Sequence, residues 1–170
     1  MLGLDALQAF LDRGGPVLLV IMAATFFMWA LILERFFYFR FAHNAVAAEA
    51  VAEWRARSDK KSKLAHWVRE KLVSEVRQKA EENVQLTKAM VALAPLLGLL
   101  GTVTGMVAVF DIMAITSGAD AKAMSAGVSR ATIPTMAGMV ASLSGVLITS
   151  GMDRKVNRSV QQVEDQMEIS

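Results

Sequence analysis

Between Ala94 and Phe110 the sequence reads APLLGLLGTVTGMVAVF, an apolar stretch that contains Gly98, Gly101 and Gly105 and no charged residue. In a water-exposed helix each glycine costs about 1 kcal/mol relative to alanine, and nothing polar compensates here. In a bilayer the same glycines let two helices approach closely, while the helix satisfies its own backbone groups. The stretch therefore points to an all-α integral membrane protein built for tight helix contact.

Composition agrees, with 54% hydrophobic residues and a mean hydropathy of +0.40. The chain has no cysteine, which excludes disulfides, thiolate chemistry and cysteine metal sites. His43 and His66 lie in a charged region without a second ligand at metal spacing and are read as solvated helix-face residues. The net charge of +2 is small, and no basic patch interleaved with aromatics suggests nucleic acid. No nucleophile beside a base, metal-ligand set or phosphate loop is visible, so neither an enzyme nor a cofactor is expected.

Three spans are expected. The first covers 16–40: Pro16 to Leu33 carries no charge, and Phe36, Phe37, Tyr38 and Phe39 extend it to bilayer thickness. Gly14 and Gly15 break the chain before it, and Pro16 suits a first helical turn. A cleaved signal peptide would begin with basic residues and end at a small-residue site, whereas Asp5 and Asp12 precede this run and Glu34, Arg35 and bulky aromatics follow it. Residues 1–15, with Leu2, Leu7, Phe10 and Leu11, suggest a periplasmic interfacial helix. The second span is expected at 89–115, a periplasmic loop at 116–130, the third span at 131–151 and a cytoplasmic C-terminal helix at 152–170.

Charge sets the expected orientation. Arg35, Arg40, the basic residues between Arg55 and Lys88, and Arg154, Lys155 and Arg158 fall on one side, which places that side in the cytoplasm and the N-terminus outside. Residues 41–88 lack proline and glycine and read as a cytoplasmic helical hairpin with its turn at Ser58 to Lys63. One apolar stripe is Val46, Ala50 and Trp54; the other is Leu64, Trp67, Val68, Leu72 and Val76.

Within the spans, small and hydroxyl residues recur at helical spacing. Thr135, Gly138, Ser142, Gly145 and Thr149 share one face of the third span, and Ala94, Gly98, Gly101, Gly105 and Ala108 share one face of the second, flanked by Thr102 and Thr104. Such stripes pack helices with hydroxyls bonded one turn back, or they line a polar pathway in which each hydroxyl donates and accepts. A hydroxyl does not titrate near neutral pH. The nearest ionisable groups are Asp111 and Arg130, each near a span end, where a gating role competes with snorkelling. Arginine stays protonated, so a proton-carrying group has to come mainly from another chain. Glu34 is expected to pair with a neighbouring basic residue, and Pro134 either widens a cavity or accommodates packing.

At these residues the chain resembles the ExbB/TolQ/MotA proton-channel family. APLLGLLGTVTGM, Ala94 to Met106, is similar to the family's proline- and glycine-rich start and G-T-V-x-G core, and GVSRATIPTMAGMVASLSG, Gly127 to Gly145, to its last helix. The resemblance implies a ring, expected as a pentamer, in the inner membrane of a Gram-negative bacterium. The second and third helices would line a pore around a dimeric, single-span ExbD-like partner whose aspartate binds the proton, and in the ExbB branch TonB carries the work to outer-membrane receptors for iron chelates and cobalamin. It places Thr102 and Thr135 against that aspartate, with Ser142, Thr149, Gly101, Gly105 and Gly138 along the pathway. Arg130 stands where the best-known members have glutamate, which argues for a short ExbB type over TolQ. The rivals are a TolQ-like envelope subunit, a flagellar-type stator and a non-conducting scaffold whose glycines and hydroxyls only pack helices.

Overall fold

The computed structural model describes residues 2–115 and 121–167, with side chains at 11 and from 14 onward. Helix α1 spans Leu2–Phe37, a π-helical turn spans Tyr38–Ala42, and α2 covers His43–Ala56. Helix α3 is Lys63–Glu81, α4 is Val84–Ile115 and α5 is Ala121–Gln166. Three helical stretches, Gly14–Ala56, Lys63–Ile115 and Ala121–Gln166, are long and apolar enough to cross a membrane. Gly15, at φ 68°, takes a left-handed conformation inside α1 that a side chain would strain, and Pro16 restarts the helix there.

Two expectations need adjustment. Residues 121–130, assigned to a loop, already belong to α5, which continues through the third span to Gln166 without the separate C-terminal helix. The short interfacial helix rested on Leu2, Leu7, Phe10 and Leu11, of which only half-buried Leu11 has its side chain among the described residues; the backbone there is the first part of α1.

The chain divides into two compact units. The first comprises Met1–Trp29 with Lys88–Val146. Here α1 buries Leu18, Ile21 and Met28, a stripe at three- and four-residue steps, while Phe26, Phe27 and Trp29 stay exposed. Burial of one stripe with apolar residues left outside is the pattern of a helix that meets other helices on one side and lipid or further chains on the other.

The second unit comprises Ala30–Thr87 with Leu147–Ser170. Its core joins Ala50, Val51 and Trp54 of α2 to Ala65, Leu72 and Val76 of α3 and to Val163 and Met167. The hairpin turn is held by Asp59, whose carboxylate accepts from the Lys61 and Ser62 amides and from the Ser62 hydroxyl. Those bonds hold the Asp59 carboxyl below the usual carboxylate range, the Ser62 hydroxyl contributing most. Ser62 in turn caps α3 by accepting from the Ala65 amide at 3.1 Å. At the far end, Arg69 donates to the Met167 and Glu164 carbonyls, satisfying acceptors at the end of α5.

The buried face of α3 includes Leu72 and Val76, with Val68 packed against it, as expected, but differs at its start. Ala65, Leu72, Val76 and Ala80 are buried, whereas Leu64 and Trp67 are 67% and 75% exposed. Small Ala65 lets α3 come close, and that choice of phase turns its bulkier neighbours outward. His43 is also corrected: it is 6% exposed, packed with its ring 5.2 Å from that of Phe39, while His66 is exposed as expected.

Glu34 pairs with Arg35 at 2.8 Å, as expected. Less expected is that Arg35 is itself buried, at 2% exposure. Its guanidinium donates to the Lys79 carbonyl at 2.8 Å and lies 4.5 Å over the Tyr38 ring. Glu34 also accepts from the Asn83 amide at 3.3 Å, and Asn83 holds the left-handed φ of 60° that turns α3 into α4. One arginine therefore ties the end of α1 to the α3–α4 joint. Arg35→Met keeps the stem but leaves the Lys79 carbonyl without this donor, and is expected to cost about 1–3 kcal/mol, read as a lower melting temperature of the purified protein.

Candidate functional site

In the first unit α4 and α5 run antiparallel along a line of small residues. Val91 faces Gly145, Ala94 faces Gly138, Gly98 faces Thr135, Gly101 faces Pro134, Gly105 faces Ala131 and Val109 faces Gly127. A side-chain carbon on Gly98 would lie 2.9 Å from the Thr135 Cα, and one on Gly138 would lie 2.4 Å from the Ala94 carbonyl oxygen. Both distances are to backbone, which cannot swing aside. Of the two stripes seen in the sequence, Ala94, Gly98, Gly101 and Gly105 thus meet α5 and Thr135, Gly138 and Gly145 meet α4, whereas Ala108 is exposed.

Pro134 is buried against Gly101 and α5 continues through it, so its ring accommodates packing in this chain. Met28 and Val17 of α1 approach the same pair at Gly145 and Gly101.

The hydroxyls divide into two kinds. Thr102 donates to the Leu99 carbonyl at 2.6 Å, and Thr104 to the Leu100 and Gly101 carbonyls at 3.0 and 3.1 Å. These are bonds one turn back on the same helix. Thr135 behaves differently: its Oγ1 donates across to the Gly98 carbonyl at 2.9 Å. With its proton committed to α4, the Thr135 oxygen keeps its lone pairs for an incoming donor. Only the absence of a side chain at Gly98 brings the carbonyl near enough.

Of the other expected pathway residues, Gly101, Gly138 and Thr149 are buried within the chain, and Gly105 is half-buried. The three glycines contribute by setting helix spacing. Ser142, Thr102 and Thr135 are half-buried. Asp111 and Arg130 are exposed, and among the described residues neither enters an ion pair. No cluster of three or more potential metal ligands occurs among the described residues.

Sequence reasoning found the threonines but missed the cross-helix bond of Thr135. The spacing of Gly98 and Thr135 in their stripes was visible; the register that brings them together was not.

The model of the MotA/TolQ/ExbB proton channel family matches residues 31–165, most of the chain and all of the α4–α5 contact. This chain belongs to that family. A comparison with curated proteins gave no match. Membership makes this chain a membrane channel protein of the MotA/TolQ/ExbB type, a family of channels and not of catalysts.

Proposed function

We propose that the chain is an ExbB-type subunit of an energy-coupling channel in the inner membrane of a Gram-negative bacterium, with its N-terminus periplasmic and its C-terminus cytoplasmic. Copies form a ring, expected as a pentamer, around the membrane helices of an ExbD-like partner. The partner's aspartate takes up a proton from one side and releases it to the other, and TonB carries the resulting movement to outer-membrane receptors that import iron chelates or cobalamin.

The observation that carries this reading is the Thr135 hydroxyl, which donates to the Gly98 carbonyl and so offers an oxygen acceptor at the α4–α5 contact. A protonated carboxylic acid or a water would donate to that oxygen; after deprotonation the same carboxylate would lose the bond and be released. Thr102 and Ser142 extend the polar surface for an intervening water. The chain's own residues hold and orient the proton carrier, and the titrating group belongs to the partner. The short helices α2 and α3, of 14 and 19 residues, support the ExbB branch over a flagellar stator, whose rotor contacts need a larger cytoplasmic region.

The buried glycines favour one second reading, a non-conducting scaffold in which the stripes serve packing alone. Proton flux into liposomes separates the two. Flux is expected only when this chain is co-reconstituted with its single-span partner, and to vanish when the partner's membrane aspartate is changed to asparagine. An intact complex that stays proton-tight, even with TonB and a loaded receptor present, would establish the scaffold.

A further inference from the structure

The second unit carries a groove of about 780 Å³ between α2 and the C-terminal part of α5, separate from the threonine site. Its charge has one sign: Arg154, Lys155 and Arg158 line it, and no carboxylate does. Positions 151, 154, 155 and 158 follow one another at helical spacing, so one face of α5 supplies all three cations. Lys155 is held over the groove's apolar floor, its Nζ 5.0 Å from the ring of buried Phe39. His43 lines the same groove, 6% exposed, and its Nδ1 is buried without a hydrogen-bond partner, so the ring's hydrogen-bonding capacity is not filled from within the chain.

The position of the groove along both helices narrows the ligand. On one side it starts at Phe39, within the aromatic end of the first apolar run, where Phe37 and Phe41 are exposed and stacked at 6.2 Å. On the other it starts at Gly151, just after the exposed apolar residues Val146 and Leu147. Exposed apolar residues thus flank the start of the groove on both sides, and α5 then supplies three cations, the order in which a bilayer changes from acyl chain to headgroup. The groove is also far larger than a free phosphate ion needs.

We infer that this groove binds the phosphate of an anionic phospholipid headgroup, with Arg154, Lys155 and Arg158 as its counter-charges and the neighbouring aromatic surface against the acyl chains. Arginine meets phosphate oxygens through paired N–H donors, and lysine adds a point charge from above the Phe39 ring. The inference does not depend on whether the chain conducts protons.

Gly151 provides a clean way to block the site. It lines the groove, and a side-chain carbon added there meets no atom within 4 Å, so Gly151→Leu enters the groove without a clash at its first carbon. The full-length protein in neutral detergent would be titrated with phosphatidylglycerol and with phosphatidylcholine, and retained lipid counted by native mass spectrometry. Phosphatidylglycerol is expected to be retained in preference. Retention should fall about fivefold for each charge removed in Lys155→Gln and Arg158→Gln. It should also fall in Gly151→Leu at an unchanged melting temperature, and hold in Lys71→Gln, an exposed charge outside the groove. Equal retention of the two lipids, or groove variants that behave like Lys71→Gln, would overturn the inference. Displacement of the lipid by inorganic phosphate would assign the groove to a soluble anion instead. Efficient disulfide formation between copies carrying Gln162→Cys, a lining position, would make it a contact between subunits.

Discussion

Gly138→Ala is expected to lower the melting temperature of the purified protein sharply, although alanine is the better helix former by about 1 kcal/mol. The added carbon would sit 2.4 Å from the Ala94 carbonyl oxygen and 3.2 Å from the Gly98 Cα. Neither is a side-chain tip that can rotate away, so α4 and α5 have to separate. Overpacking of this kind costs typically 1–3 kcal/mol, and in a membrane, where close backbone approach is a main source of helix affinity, the loss falls on the principal contact. Gly151→Ala is the matched control, since its carbon meets open space and only the helix-forming gain remains. The gap between the two alanine variants should reach about 2 kcal/mol by these terms. Equal melting temperatures would mean that the α4–α5 distance is not set at Gly138. Because Gly98 also contacts Gly138, the same separation should lengthen the Thr135 bond, and proton flux should fall along with stability.

Which features were legible in the sequence follows from what each depends on. The glycine and hydroxyl stripes of α4 and α5 were legible because a helix repeats every 3.6 residues and small residues at that period leave one face thin. Their register was not, because it depends on distances between helices, and so the Thr135–Gly98 bond stayed hidden while each residue was visible alone. The α3 stripe held at Val68, Leu72 and Val76 but failed at Leu64 and Trp67, for a different reason. Leu64 and Trp67 carry more apolar surface than Ala65, but close packing against α2 selects the small residue for the inside, and hydrophobicity alone does not fix the phase. His43 was read as solvated by its polarity, and Arg35 was placed only on the cytoplasmic side by its charge. Arg35 is buried because Glu34, the Lys79 carbonyl and the Tyr38 ring together replace its water, a set drawn from two distant parts of the sequence. The loop expected at 116–130 was the segment left between two apolar runs, yet residues 121–130 are helical, with Gly127 seated against Val109 of α4.

Thr135→Val should reduce partner-dependent proton flux by at least about tenfold, equivalent to roughly 1.4 kcal/mol on the barrier, without dissolving the complex. Valine nearly matches threonine in shape, so the half-buried position stays filled, but it removes the Thr135 hydroxyl that bonds across from α5 to α4. What is lost is the acceptor oxygen that this bond orients, together with one tie between the helices worth about 1 kcal/mol. Thr135→Ser is the decisive companion. It restores the oxygen with less packing, so a proton pathway predicts recovery of flux, whereas a purely packing role predicts that serine is no better than valine. Thr102→Val should have a smaller effect, because the Thr102 hydroxyl returns its proton to Leu99 on its own helix and ties nothing across the contact. Should Thr135→Val conduct as well as the natural chain, the hydroxyl would be a packing device, and the polar path would have to run through Ser142 and the exposed Thr104 or lie wholly within the partner.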